Sequence, residues 1–161
     1  LYEGGIRVPL VVHYPGVVRA GAVCRRPTCN TDFYPTFCEA AAISPDPRQP
    51  LEGVSMMRML RNPKAKVKRN TLYWHYPLPR QHFLGGRSSG AIRRSDWKLI
   101  EFFDTGESEL YDLSNDIGET KDLAELIPAK AAELKKALAD WRKEVGAVIP
   151  PSCAGYQPKL K

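Results

Sequence analysis

The sequence predicts an α/β protein in two unequal parts: a strand and a helix that belong to a larger sheet, then a four-stranded antiparallel sheet with one packed helix. The apolar run from Val8 to Tyr14 indicates the first part, because its lack of alternation is typical of a strand buried on both faces. Short β-rich segments after residue 70 and an apolar stripe of helical period after Pro128 indicate the second part. With 43% apolar residues, the chain has a globular composition and not a disordered one.

A helix follows the first strand. Asn30 or Thr31 can cap this helix, which is predicted over residues 32–41. Asp32 lies at the end where the helix dipole favours an acidic side chain, and Pro35 is tolerated in the first turn. His13 lies inside the preceding strand and is predicted to be a core histidine. Residues 62–70 lack apolar periodicity and predict an exposed connection.

Four strands and one helix make up the second part. The strands are predicted over residues 72–76, 91–94, 97–103 and 109–113, with a hairpin loop at residues 104–107. Alternation along the third strand puts Trp97 and Leu99 on one face and Lys98 and Ile100 on the other. The closing helix begins at Pro128 and ends at Gly146. Its packing stripe is predicted to comprise Ala131, Leu134, Leu138, Trp141 and Val145.

The domain organisation follows from the change of composition near residue 70. Residues 1–70 are predicted to be the end of a large α/β domain, residues 71–150 a sheet and helix subdomain, and residues 151–161 a tail. Because the first strand begins at once, with no partner strand before it, the sequence is interpreted as a piece of a larger domain. No apolar run reaches the roughly 18 to 20 residues that cross a bilayer, so no membrane span is predicted.

The charge is unevenly distributed along the chain. Residues 1–100 carry 16 basic and 6 acidic side chains, whereas residues 101–161 carry 8 and 12. The basic half is expected to attract an anion, and nucleic acid, a sulfated or carboxylated glycan, or a phosphate or sulfate ester would all suit it. The basic run Lys64, Lys66, Lys68 and Arg69 is interpreted as solvated surface, with binding of a heparin-like chain or nucleic acid as the alternative.

The four cysteines do not have the spacing of a zinc site. Cys24 and Cys29 are five residues apart, Cys38 falls in the predicted helix and Cys153 in the tail. A bridge between Cys24 and Cys29 is possible in an oxidising compartment, and free thiols are the alternative.

A series of short motifs occurs in an informative order. The motifs are residues 1–9 (LYEGGIRVP), 15–16 (PG), 32–36 (DFYPT), 51–55 (LEGVS), 90–93 (GAIR), 96–100 (DWKLI) and 109–113 (ELYDL). In this order and spacing they closely resemble the C-terminal third of a sulfatase of the arylsulfatase type, over roughly residues 1–150. The resemblance implies an alkaline-phosphatase-like α/β fold and the hydrolysis of aryl or glycan sulfate esters.

The resemblance also implies which cofactors the parent enzyme uses. Such sulfatases use a formylglycine, made from a cysteine in a C-x-P-x-R setting, whose hydrated form attacks sulfur, together with a calcium ion that polarises the sulfate oxygens. None of the four cysteines has that setting, and no acidic cluster suits calcium. Catalytic residues are therefore expected upstream of Leu1, and this chain is predicted to hold no metal and to be inactive alone.

Three residues are predicted to bind substrate: His75, His82 and Arg87. In similar sulfatases the segment around them leads toward the mouth of the active-site cleft, and an imidazole suits contacts to a sugar or a sulfate. The alternatives are a packed strand position for His75 and a solvated one for His82. The Gly-rich segment 85–90 does not lead into a helix, so it lacks the dipole of a phosphate loop and is interpreted as a pocket rim with Arg87 as an anion contact.

The predicted partner of the parent enzyme is a small-molecule or glycan sulfate ester, with no nucleic acid and no membrane, and no oligomeric state is predicted. Similar bacterial enzymes are commonly exported, which implies a periplasmic or secreted location. Two alternatives stay open: a phosphate or phosphonate ester hydrolase of the same superfamily, with Thr or Ser in place of the nucleophile cysteine, and an isolated polyanion-binding module with salt-sensitive affinity.

Overall fold

The structure is a computed structural model that describes residues 1–78 and 86–149. The chain divides into two compact units. Residues 9–69 form one, here called the helical unit, and residues 1–8 group with the described residues from 70 onward in the other, here called the sheet unit. The first eight residues therefore belong with the antiparallel sheet and not with residues 9–69.

The described residues form short helices and one long one. The helices are α1 (Glu3–Ile6), α2 (Phe33–Ala40), α3 (Met57–Arg61) and α4 (Pro128–Glu144). A 3₁₀ turn at Asn30–Asp32 leads into α2, and Pro35 lies in the first turn of that helix. The two predicted helices are thus confirmed as α2 and α4, while the short helices α1 and α3 were not predicted from the sequence.

The predicted antiparallel sheet is confirmed. Its strands are β1 (Thr71–Tyr76), β2 (Ser89–Arg94), β3 (Trp97–Phe102) and β4 (Ser108–Asp112), and they are neighbours in chain order, each antiparallel to the next. Short connections between successive strands make this meander the simplest topology for the segment. An α/β fold with a four-stranded sheet and a packed helix is therefore what the structure shows.

The two faces of the sheet have different coverings. On the α4 face, a cluster of fully buried residues joins the sheet to the helix: Ile92, Leu99, Leu110, Leu134 and Leu138. Tyr73 stacks on Trp141 of α4 with ring centroids 4.7 Å apart. The opposite face carries a second buried cluster, against which Leu1 and Trp74 pack: Ala91, Ile100, Phe102, Tyr111 and Leu113. Strand alternation predicted this division correctly.

The strand predicted over Val8 to Tyr14 is not formed. These residues pair with no described strand, and Val8 and Val11 are 76% and 90% exposed. His13 is exposed too, so its prediction as a core histidine is wrong. The run has the hydrophobicity of a buried strand, but a strand also needs a neighbour to satisfy its backbone groups, and the described sheet provides none for it.

The helical unit is held together around Asp32 and Thr36. Asp32 is fully buried and accepts hydrogen bonds from the backbone N–H groups of Cys29 and Val54. The Thr36 hydroxyl donates to the Asp32 carbonyl and accepts from the Met56 N–H at 2.8 Å. These bonds connect the start of α2 to the chain just before α3.

No helix in the described ranges has the length and apolar character needed to cross a membrane.

Candidate functional site

The most deeply buried charges of the sheet unit surround Lys98. Its Nζ atom lies 3.0 Å from Glu3 Oε1 and 2.8 Å from Glu119 Oε1. The Lys98 side chain is fully buried, and those of Glu3 and Glu119 are 6% and 2% exposed. Arg93 supplies a second cation, 3.3 Å from Glu3. These four residues, here called the Lys98 cluster, contain two positive and two negative charges.

The Lys98 cluster attaches residues 1–8 to the sheet. Lys98 lies on the face of β3 opposite α4, and the backbone N–H of Glu3 donates to Glu119 at 2.5 Å. Glu119 has a φ of +53°, a conformation that costs a non-glycine residue about 1 kcal/mol or more. Charges this deeply buried are tolerated only when they are paired, so the pairing determines where residues 1–8 lie.

A carboxylate shared by two tyrosines lies beside the cluster. Glu109 Oε2 accepts from the hydroxyls of Tyr2 at 2.6 Å and Tyr111 at 2.9 Å. Burial, together with the hydrogen bond to Glu109, raises the pKa of Tyr2 to about 12 and also raises the pKa of Tyr111. Both phenols stay protonated at neutral pH, so they act here as hydrogen-bond donors and not as bases.

His75 lies on the α4 face of the sheet. Its ring is tilted against the Phe103 ring, with ring centroids 5.3 Å apart. The guanidinium carbon of Arg142 in α4 lies 5.3 Å from the centroid of the same Phe103 ring. His75 Nε2 is 2.9 Å from the carbonyl oxygen of Val148, so Nε2 carries the proton of that bond. His75 Nδ1 is buried and has no partner among the described residues.

Arg87 lies on the opposite face. Its guanidinium stacks on the Phe102 ring at 3.9 Å and forms a two-pronged pair with Asp104, with Nη2 to Oδ1 at 2.8 Å and Nε to Oδ2 at 3.2 Å. Nη2 also donates to the Thr105 hydroxyl at 3.3 Å. The hydrogen bond from Arg87 lowers the pKa of Asp104, so the pair stays charged at neutral pH. The contacts of the Arg87 guanidinium to Asp104 and Thr105 use its Nε and Nη2 atoms.

The structure therefore does not bring the predicted site residues together. His75 and Arg87 lie at the same end of the sheet, where His75 pairs with Gly90 and Tyr76 pairs with Ser89. The two side chains are on opposite faces of the sheet. One sulfate group cannot contact both side chains across the sheet. His82 lies outside the described residues. The Lys98 cluster was not predicted from the sequence. The available signal was that Lys98 shares one face of an apolar strand with Ile100.

The described residues do not fit a calcium site. Calcium takes six to eight oxygen ligands, and no group of three or more His, Cys, Asp or Glu side chains in the described ranges is placed to hold a metal. The buried carboxylates of Glu3, Asp32 and Glu119 are paired with Arg or Lys side chains. No chemical step is therefore assigned to calcium through these residues.

Comparison with known proteins identifies the family to which this chain belongs. Alkaline-phosphatase-like sulfatases are among the solved structures that share this fold. Residues 1–144 match the family described as N-sulphoglucosamine sulphohydrolase, C-terminal. The chain belongs to this family of sulfatase C-terminal domains, and the resemblance found in its motifs is confirmed.

Individual relatives agree with the family assignment. A sulfatase of Formosa agariphila is 36% identical over 87% of this chain and 28% of its own length. An N-acetylglucosamine-6-O-sulfatase of Bacteroides thetaiotaomicron is 30% identical over 89% of this chain and 26% of its own length. A protein solved with its substrate D-glucosamine-2-N,6-O-disulfate has a TM-score of 0.69 at 29% identity, over 85% of this chain and 28% of that one. The chain thus spans about a quarter of the length of these relatives.

Proposed function

We propose that this chain is the C-terminal part of an enzyme that hydrolyses aryl or glycan sulfate esters, and that it lines the substrate cleft without supplying the nucleophile or the metal ligands. The observation that supports the non-catalytic role is that the buried carboxylates Glu3, Asp32 and Glu119 are already paired with cations. Carboxylates held in such buried pairs stabilise the fold and are not free to contact a substrate.

The cofactors of the parent enzyme belong to this proposal. We place its formylglycine and its calcium ion in residues outside this chain, because no described group of side chains suits the metal. The glycan substrates named for the similar enzymes support a sulfated sugar as the substrate. A periplasmic or secreted location is proposed from the family resemblance alone.

Of the two predicted site residues that the structure describes, His75 and Arg87, the geometry of Arg87 suits a sulfate better. Asp104 and the Phe102 ring hold the guanidinium in one orientation, and no described residue forms a hydrogen bond with its Nη1 atom. A planar cation that is held in place before binding loses little entropy when it donates to an anion. His75, enclosed between Phe103 and the carbonyl of Val148, is proposed to position the end of β1.

Replacing Arg87 with Lys in the full-length enzyme is expected to raise KM by roughly tenfold or more, because a charge-assisted hydrogen bond contributes about 1.5–3 kcal/mol. Steady-state kinetics on the sulfated substrate would measure it. The matched control is Arg94→Lys, since Arg94 pairs with Glu133 of α4 at 3.2 Å. An unchanged KM for Arg87→Lys would contradict the assignment of Arg87 to the cleft.

The non-catalytic role has its own test. The 161-residue chain, purified alone and incubated with an aryl sulfate, is expected to release no sulfate above a heat-treated control, because catalysis needs a nucleophile and positioned cations together. Ion chromatography of free sulfate would measure this. Turnover above the control would show that a nucleophile lies within the chain.

A further inference from the structure

The helical unit accounts for the whole net charge of the chain. Residues 9–69 contain 10 basic and 4 acidic side chains, a net charge of +6, while the remaining residues contain 14 of each. A net positive charge of this size attracts anions to the unit that carries it. The +6 of the chain is therefore a local property of the helical unit.

The acidic side chains of this unit leave most of its cations unpaired. Three of the four acids already pair with arginines: Asp32 with Arg69, Glu39 with Arg61, and Asp46 with Arg48. Seven exposed cations remain, and none of them takes part in an ion pair within the described ranges. They are Arg19, Arg25, Arg26, Arg58, Lys64, Lys66 and Lys68.

Three of these cations lie on one short segment whose two ends are held by ion pairs. Exposure alternates along the segment, so that Lys64, Lys66 and Lys68 are exposed while the residues between them are half-buried. The segment is tied at both ends, by Arg61 to Glu39 at 2.9 Å and by Arg69 to Asp32 at 2.5 Å. The three lysines, here called the lysine ridge, are therefore exposed on a segment that is anchored at both ends.

A second basic loop, which contains Cys24, contacts the segment that carries the lysine ridge. Cys24 Sγ lies 3.6 Å from the carbonyl oxygen of Pro63, directly before Lys64. Arg25 and Arg26 follow Cys24 in sequence and are exposed. The surface thus gathers five cations from two loops, with no acidic residue in either run 61–69 or 24–29.

From this arrangement we infer that the lysine ridge, with Arg25 and Arg26, is a docking surface for a sulfated polysaccharide. Several cations on an anchored segment match the repeated charges of a polyanion, and each contact releases a counterion from it. The choice of a sulfated glycan over nucleic acid rests on the proposed function. It agrees with the absence of aromatic side chains from residues 61–69, which base stacking on the ridge would need.

The test is the affinity of the full-length protein for heparin, measured by fluorescence anisotropy against salt concentration. The variant Lys64→Gln, Lys66→Gln, Lys68→Gln is expected to bind at least about tenfold more weakly near 0.1 M salt, with a salt slope lower by about one unit per lysine engaged. The matched control removes three exposed lysines of the sheet unit by Lys121→Gln, Lys136→Gln and Lys143→Gln and is expected to change affinity less than about twofold.

Three results would overturn the inference: equal losses in the two triple variants, undiminished binding of desulfated heparin, or tighter binding of duplex DNA than of heparin. All substituted lysines are exposed, so unchanged thermal unfolding is expected to show that both variants fold. Sulfatase assays on the same samples separate this inference from the proposed function, because loss of heparin affinity and loss of hydrolysis of a monosaccharide sulfate are independent results.

Discussion

Replacing Lys98 with Met is expected to lower the free energy of unfolding by about 3–5 kcal/mol, the usual cost of removing one partner from a buried ion cluster. Lys98 is fully buried between Glu3 and Glu119, and its loss leaves Glu119 without the cation that lies 2.8 Å away. Urea denaturation followed by tryptophan fluorescence would measure the change. The three tryptophans of the chain, Trp74, Trp97 and Trp141, all lie in the sheet unit.

Two controls separate charge burial from loss of a side chain. Lys136→Met removes an exposed partner of Asp140 and is expected to have no measurable effect, because exposed pairs contribute little. Adding Glu119→Gln to Lys98→Met is expected to recover part of the lost stability, since it removes the uncompensated charge. If Lys98→Met and Lys136→Met have the same effect, the Lys98 cluster does not stabilise the sheet unit.

Replacing Asp32 with Ala is expected to have a similar effect, about 3–5 kcal/mol, on the helical unit. The substitution leaves the guanidinium of Arg69 and the backbone N–H groups of Cys29 and Val54 without their acceptor. Hydrogen exchange of the peptides that contain residues 29 and 54 would measure the loss of protection. Asp46→Ala is the control, because Asp46 pairs only with the exposed Arg48, and equal loss of protection in both variants would contradict the role of Asp32.

The effect of Asp32 is also expected to depend on pH. Burial alone would raise the pKa of Asp32, but the hydrogen bonds from Arg69 and from the N–H groups of Val54 and Cys29 lower it below its ordinary value. A group with a lower pKa in the folded state stabilises that state above its unfolded pKa, about 3.9 for Asp, and loses this contribution as pH falls through the folded value. The difference between wild type and Asp32→Ala should stay constant above about pH 5 and shrink below about pH 4. A constant difference through the acid range would contradict this.

Much of the sheet unit was predictable because its determinants are local. Strand periodicity, the loop at residues 104–107 and the stripe on α4 each depend on neighbours a few residues apart. The strand predicted over Val8 to Tyr14 has no partner among the described residues, because an apolar run shows hydrophobicity but not which strand must pair with it. The candidate site was predictable only as residue types, because the sequence did not show that His75 and Arg87 would lie on opposite faces of the sheet.

Local patterns and the order of motifs were enough to establish the sulfatase family, the α/β class, the meander and its helix. The tertiary structure alone decided that Glu3 and Glu119 meet Lys98 and that residues 1–8 join the sheet unit. The physical reason is the separation along the chain of the residues that each interaction joins. Hydrogen bonds and side-chain alternation within one element act between near neighbours, whereas the pairing of a buried charge depends on which distant segments the folded chain brings within about 3 Å.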